Sequence, residues 1–118
     1  MKKTACLLIL FFLSISVKAQ ENVNISFSND FKVVYHLSLI IYMPDGKIQT
    51  RVSDLSPDQV KSYSLPINTE IFIADSKQEA FAMKGNDIKS TGVKPIIVLV
   101  KSDSNRTLKL SSIDQREK

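Results

Sequence analysis

Apolar and polar side chains alternate in several short runs along the chain after residue 20. In the first run, Val23, Ile25 and Phe27 alternate with Asn and Ser residues, and the turn-forming pair Asn29–Asp30 follows. Successive side chains of a β-strand point to opposite faces of a sheet, so period-two alternation is typical of a strand with one buried face. The run predicts a half-buried strand that ends in a turn.

The longest alternating run covers residues 31–43. Its odd positions are all apolar, whereas its even positions mix apolar with polar and charged residues. This pattern predicts a long central strand whose odd-numbered side chains lie in the core. The odd positions are Phe31, Val33, Tyr35, Leu37, Leu39, Ile41 and Met43, and the even positions are Lys32, Val34, His36, Ser38, Ile40 and Tyr42.

A hairpin is predicted directly after this strand. Pro44–Asp45–Gly46 combines a residue with a fixed φ, a side chain that caps turns and a glycine that accepts positive φ. Ile48–Val52 alternates again and is the predicted return strand. Asp54–Gln59, which contains Ser-Pro-Asp, then breaks the pattern.

Five further short strands are predicted, separated by segments rich in turn formers. The last of them is expected to pair with the strand before it, across a turn at Ser102–Arg106. In two places, Val60–Lys61 and Glu79–Met83, a helical turn competes because the composition does not favour a strand. The predicted strands are Val60–Leu65, Glu70–Ala74, Glu79–Met83, Pro95–Lys101 and Thr107–Leu110, and the turns between them are Pro66–Thr69, Asp75–Lys77 and Gly85–Gly92.

Short strands at close spacing, with no strongly amphipathic helix, predict an all-β fold: a small antiparallel β-sandwich or a small barrel. The segment Ser62–Ile73 is similar to the strand, proline turn and strand of many immunoglobulin-like and transthyretin-like modules. This resemblance implies a β-sandwich rather than a barrel for the domain. We expect a single domain over residues 20–110 and a flexible C-terminal tail over residues 111–118, where Ile113 is the only large apolar residue.

The N-terminus has the layout of a secretory signal peptide. Lys2 and Lys3 precede an apolar stretch from Ala5 to Leu13, and small residues, Val17 and Ala19, stand where signal peptidase requires them. The apolar tract is short for a membrane-spanning helix, which needs about 20 residues. We therefore expect cleavage after Ala19, export from a bacterial cell to the periplasm or beyond, and no transmembrane anchor in the processed chain.

Removal of the signal peptide changes both the cysteine content and the charge. Cys6, the only cysteine, leaves with it, so the processed domain has no disulfide. Lys2, Lys3 and Lys18 also leave, and the net charge falls from +4 to +1. The remaining lysines are scattered rather than clustered on one face, so we expect no nucleic-acid partner.

No catalytic pattern is recognisable. His36 is the only histidine, and there is no Gly-x-Ser-x-Gly motif to indicate a nucleophile. The aspartates that fall in predicted turns lack the regular spacing of a calcium loop. We expect no metal and no cofactor, while paired carboxylates brought together by folding stay open as an alternative. These aspartates are Asp45, Asp54, Asp58, Asp75 and Asp87.

The candidate binding residues are Lys32, His36, Ile40 and Tyr42, on the even face of the long strand. This face is too apolar for a fully solvated surface, so it is either an exposed binding patch or a face covered by a loop. The resulting hypothesis is a non-enzymatic binding or accessory module of the bacterial cell envelope, with a protein or an envelope glycan as partner.

Two alternatives stay open beside this hypothesis. One is a small secreted inhibitor of a hydrolase that inserts Asp54–Gln59 or Gly85–Gly92 into its target. The other is a secreted enzyme that uses carboxylates, with or without His36.

Overall fold

The computed structural model describes residues 21–113, which form a two-sheet β-sandwich, as predicted. The first sheet has three strands in the order β4-β1-β7, and the second has four strands in the order β3-β2-β5-β6. The strands are β1 Asn22–Ser28, β2 Tyr35–Tyr42, β3 Ile48–Leu55, β4 Val60–Pro66, β5 Glu70–Ile73, β6 Ile97–Val98 and β7 Arg106–Lys109.

The first sheet is built around β1, which pairs with β4 on one side and with β7 on the other. Val23, Ile25 and Phe27 face the core, so the half-buried strand predicted here is confirmed. β7, however, runs parallel to β1 and does not pair with the preceding strand, so the predicted hairpin across residues 102–106 is wrong. The turn instead carries the chain to β1, where the N–H of Asn105 donates to the carbonyl of Asn24 at 2.7 Å.

The hairpin between β2 and β3 is confirmed. The N–H of Met43 donates to the carbonyl of Lys47 at 2.8 Å, and Gly46 takes a φ of 94°, which favours glycine. The central strand begins later than predicted, at Tyr35 instead of Phe31. The buried side chain of Asn29 explains the difference, because its amide donates to the Val33 carbonyl at 2.9 Å and bends the chain before the sheet begins.

The main core lies between the sheets. The odd positions of β2 are buried there, as predicted, but Val33 is 68% exposed because it precedes the strand. The buried side chains of this core are Val23, Ile25, Phe27, Tyr35, Leu37, Leu39, Ile41, Leu55, Tyr63, Leu65, Ile71, Leu99, Leu108 and Leu110.

A second, smaller apolar cluster lies on the opposite face of the second sheet. Residues 74–93 cross this face and contain helix α1, Ser76–Met83, and a 3₁₀ turn, Ile88–Thr91. The predicted strand Glu79–Met83 is therefore wrong, and the competing helical turn is what forms. The cluster contains Ile40, Tyr42, Phe72, Ala74 and Ile88, with Ala82 and Val93 packed against it.

The last described element is a helical turn, α2, Leu110–Ile113. Leu110 is fully buried, and the N–H of Ser111 donates to the carboxylate of Asp30 at 3.0 Å. Ser111, the first residue of the predicted tail, is thus hydrogen-bonded to the turn after β1. The predicted signal peptide and residues 114–118 lie outside the described residues. Between residues 21 and 113, no helix has the length and apolar character needed to cross a bilayer.

Candidate functional site

A cleft of about 700 Å³ opens beside β5, at the edge of the second sheet. It is lined by Phe72 and Ile73 of β5, by residues 93–96, and by Ser112 and Ile113 of α2, together with side chains of the segment that crosses the sheet. The volume lies within the range of about 300–1,000 Å³ that is typical of small-molecule and cofactor sites. The apolar lining residues are Phe72, Ile73, Ile88, Val93, Pro95, Ile96 and Ile113.

The polar lining residues are Asp75, Gln78, Lys94 and Ser112. Asp75 and Gln78 are engaged with each other at the start of α1. The carboxylate of Asp75 accepts from the N–H of Gln78 at 2.8 Å, and the amide oxygen of Gln78 accepts from the N–H of Asp75 at 2.9 Å. Lys94 is exposed and forms no ion pair with the residues described. The cleft therefore combines apolar with polar side chains, and among the polar ones Lys94 is able to meet an anionic group while the carboxylate of Asp75 is held by Gln78.

A cluster of ionisable side chains lies elsewhere, on the outer face of the second sheet. His36 of β2 contacts Asp54 of β3 through Nδ1 at 2.7 Å and Glu79 of α1 through Nε2 at 2.9 Å. The pKa of His36 is raised, first by the hydrogen bond to Asp54 and then by that to Glu79. Both carboxylates stabilise the charged form of the ring.

This cluster is suited to fixing α1 rather than to catalysis. A general base needs a ring nitrogen without a proton, whereas both nitrogens of His36 donate to carboxylates when the ring is charged. The imidazole is also about half exposed, so no concave, water-excluding site surrounds it. Within the described part of the chain, no group of three or more His, Cys, Asp or Glu side chains is arranged to hold a metal ion.

Tyr42 performs a structural task on the same face. Its hydroxyl donates to the carboxylate of Asp87 and accepts from the N–H of Ile88 at 3.1 Å. Burial raises the pKa of Tyr42, and the hydrogen bond to Asp87 raises it further, while the same bond lowers the pKa of Asp87. The ammonium of Lys89 lies 4.5 Å from the centroid of the Tyr42 ring. Tyr42 thereby anchors the 3₁₀ turn over the sheet.

The four predicted binding residues do not form one exposed patch. Ile40 and Tyr42 are buried under residues 74–93, so the covered-face alternative describes this part of the strand. His36 is exposed but engaged by two carboxylates, and Lys32 lies in the exposed loop before β2.

Both loops assigned to the inhibitor alternative are held by hydrogen bonds or by a buried side chain. In Asp54–Gln59, the N–H of Gln59 donates to the Ser56 carbonyl at 3.0 Å, and the N–H of Asp58 donates to the Asn29 carbonyl at 2.7 Å. In Gly85–Gly92, Ile88 is 1% exposed and packs in the second apolar cluster.

Sequence reasoning missed the cleft because its walls come from distant parts of the chain. The one local signal was Pro95, since a proline within a predicted strand indicates an edge or an interruption of pairing. Comparison with protein-family models, with curated proteins and with solved structures finds no match to this chain.

Proposed function

We propose that this protein is a non-enzymatic binding module of the bacterial cell envelope, and that the cleft beside β5 is its binding site. The observation that carries the proposal is an open cleft of about 700 Å³ that joins apolar side chains to the exposed Lys94, which forms no ion pair with residues 21–113. Such a site accepts a ligand with an apolar body and an anionic group. Export is inferred from the sequence, from the arrangement of Lys2, Lys3, the apolar tract and Ala19.

The geometry favours binding over the two alternatives. The one imidazole of the chain has both nitrogens in contact with carboxylates, so His36 is not poised to accept a proton from a substrate. The two loops considered for inhibition are tied down by backbone hydrogen bonds and by burial of Ile88.

An apolar anionic dye tests the site directly. We expect the protein expressed from the full-length chain to bind 8-anilinonaphthalene-1-sulfonate saturably, with a rise in fluorescence. Ile96→Asp, which places a carboxylate in the lining, should weaken dye binding by about tenfold or more, since it removes apolar contact and repels the sulfonate of the dye. Intact-mass measurement of the same preparation checks whether the chain begins at Gln20.

The matched control is Val52→Asp, on β3 and away from the cleft, where the side chain is 39% exposed. This variant should bind the dye as the parent does, and thermal melts of both variants establish that the dye reports on the folded state. An absence of saturable binding, or equal binding by the Ile96→Asp variant, would contradict the proposal.

A further inference from the structure

We propose that two copies of this protein associate through β3, whose outer edge pairs antiparallel with the same edge of the second copy about a two-fold axis at Thr50. β3 lies at one end of the second sheet, and among the described strands it pairs with β2 alone. An edge strand presents N–H and C=O groups to which another chain can add. No residue of β3 lines the cleft, so this association is an interaction beyond the proposed function.

The hydrogen-bond pattern shows which backbone groups of β3 face outward. The N–H of Met43 donates to the carbonyl of Lys47 at 2.8 Å, and the register between β2 and β3 continues from this pair without interruption. Opposite residues of an antiparallel pair alternate between hydrogen-bonded and non-hydrogen-bonded positions, so the odd-numbered residues of β3 bond to β2. The N–H and C=O groups of Ile48, Thr50 and Val52 point to the other side, where the described part of the chain places no strand.

β3 lacks the features that protect natural edge strands from association. Such strands carry lysine or proline, contain a bulge or are very short. β3 has eight residues without lysine or proline, and each residue pairs with one residue of β2, so the strand has no bulge.

The two charged side chains of β3 are engaged within their own molecule. The guanidinium of Arg51 lies 5.9 Å from the centroid of the Tyr63 ring. Its Nε–H also donates to the side-chain oxygen of Gln49 at 3.1 Å. Asp54 contacts Nδ1 of His36 at 2.7 Å. Neither charge is therefore directed at the outer edge alone.

The other edge strands do carry protective features. β4 contains Lys61 and ends in Pro66, and β7 contains Arg106 and Lys109. β6 has only two residues. Of the sheet edges in residues 21–113, β3 is thus the one best suited to pair with another strand.

The side chains on the outer face of β3 are symmetric about Thr50. Ile48 and Val52, which are 52% and 39% exposed, lie two residues to either side of it. A two-fold axis at Thr50 places Ile48 of each copy opposite Val52 of the other, and each such pair exchanges two hydrogen bonds. Cross-strand pairs of β-branched side chains stabilise a sheet. Because the interface is the same patch on both copies, association stops at the dimer.

The charge of Arg51 selects this register over its neighbours. An axis at Arg51 brings the two guanidinium groups opposite each other, and an axis at Gln49 brings Arg51 opposite Lys47. Like charges directly opposite destabilise a strand pair. An axis at Val52 leaves Ile48 beyond the end of β3 in the second copy. The proposed axis avoids all three, since it places Arg51 opposite the uncharged Gln49.

Analytical ultracentrifugation of the protein expressed from the full-length chain measures the association. Stable interfaces bury about 1,600 Å², and smaller ones are weak, so for one strand from each copy we expect a Kd of about 10–100 µM. Thr50→Lys places two ammonium groups opposite each other and should weaken the dimer by about tenfold or more.

The matched control for Thr50→Lys is Ser64→Lys, at an exposed position of the edge strand β4. This variant should associate as the parent protein does. Thermal melts at about 1 µM, well below the expected Kd, establish that both variants are folded as single domains.

Single cysteines identify the register, and they keep the test valid if Thr50→Lys fails to fold. Each is introduced together with Cys6→Ser, so that it is the only cysteine of the chain. Oxidation should link Thr50→Cys chains, because the two copies of this residue lie about 5.5 Å apart between Cα atoms. In Val52→Cys, the matched control, they lie four residues out of register, about 13 Å apart and beyond the reach of a disulfide.

Non-reducing electrophoresis measures the yield of linked chains. A mixture of Ile48→Cys and Val52→Cys chains should link more than either variant alone, since the proposed axis places these residues opposite each other. A protein that sediments as a monomer up to about 500 µM, well above the expected Kd, would overturn the association. So would a dimer that Thr50→Lys leaves unchanged, or a disulfide yield at Thr50 no higher than that at Val52.

Discussion

At the scale of single residues, His36 joins two layers of the molecule. Its ring contacts Asp54, which belongs to the second sheet, and Glu79, which belongs to α1. None of the residues in α1 is fully buried, so the helix gains little from the hydrophobic effect. The charged ring held between two carboxylates therefore contributes to keeping α1 on the sheet.

The first residue-scale prediction is a raised pKa for His36, above its ordinary value of about 6.5. A group whose pKa is raised by folding contributes stability in full below its unfolded pKa, and this contribution is lost as pH rises through the folded pKa. Amide exchange in α1 should accordingly become faster as pH rises through that range, beyond the intrinsic pH dependence of exchange. NMR titration of the imidazole Cε1–H measures the pKa, and the chain has only one histidine to assign.

Substitution of Asp54 and of Glu79 measures how much each carboxylate raises the pKa of His36. Asp54→Asn should lower the pKa of His36 most, because its hydrogen bond is the largest cause of the shift, and Glu79→Gln should lower it next. Asp45→Asn, in the hairpin turn, is the control and should leave the titration unchanged. A pKa at or below the ordinary value in the parent protein would show that the ring does not contact these carboxylates in solution.

Two aspartates contribute stability with the opposite dependence on pH. The pKa values of Asp30 and Asp87 are lowered, chiefly by hydrogen bonds from Ser111 and from Tyr42. Carboxylates of this kind contribute stability above their ordinary pKa of about 3.8–3.9, and the contribution is lost as pH falls through the lowered value. Acid therefore loosens the contacts at Ser111 and Tyr42, whereas alkali loosens the contact at His36.

At the scale of elements, alternation identified strands wherever one face of the strand is buried. β1 and the part of β2 that packs between the sheets show this, with Leu37, Leu39 and Ile41 fully buried on the odd face. Alternation continues in the sequence to Val33, but there the side chain of Asn29 bends the backbone. A hydrogen bond of this kind, from a side chain to a backbone carbonyl four residues later, has no period and cannot be found from the pattern of apolar residues.

The sequence predicts a strand at Glu79–Met83, with a helical turn only as a competitor, and the reason that helix α1 is not predicted outright is a different one. A helix is recognised by apolar residues that recur along its buried face, and none of the residues of α1 is fully buried. The remaining signal was the spacing of Asp75 and Gln78, which form a capping box. The cleft could not be predicted from the sequence either, because Ile73, Lys94 and Ser112 lie far apart in the chain and come together only in the folded domain.

The element-scale prediction concerns the central strand. Leu39→Asp should unfold the domain, because it places an unpaired charge between the sheets where Leu39 is fully buried. The cost exceeds the range of about 0.5–3 kcal/mol that is typical of single substitutions. Thermal melts followed by circular dichroism measure it.

The control for this variant is Ile48→Asp on the neighbouring strand β3, where the side chain is 52% exposed. It should melt within a few degrees of the parent, since substitutions of exposed side chains change stability by about 0.5 kcal/mol or less. A parental melt for Leu39→Asp would mean that the odd face of β2 does not lie in the core.

At the scale of the whole molecule, the sandwich depends on its last strand. β1 is the middle strand of its sheet, and β7 covers one of its two edges in parallel. Leu108 of β7 and Leu110 of α2 also complete the main core. Since residues 21–113 contain no cysteine, no disulfide compensates for a missing strand.

We therefore expect a chain that ends at Ser104 to lose cooperative unfolding, and a chain that ends at Ile113 to keep it. The shorter chain lacks two buried leucines, each of which contributes about 2–5 kcal/mol, while the whole stability of a domain is about 5–15 kcal/mol. It also leaves the backbone edge of β1 from Ile25 to Ser28 without its partner strand. Urea denaturation followed by tyrosine fluorescence distinguishes the two chains. A sharp transition in the chain that ends at Ser104 would show that β1 and β4 fold onto the second sheet without β7. The parallel pair of β1 and β7 would then not be required for cooperative folding of the sandwich.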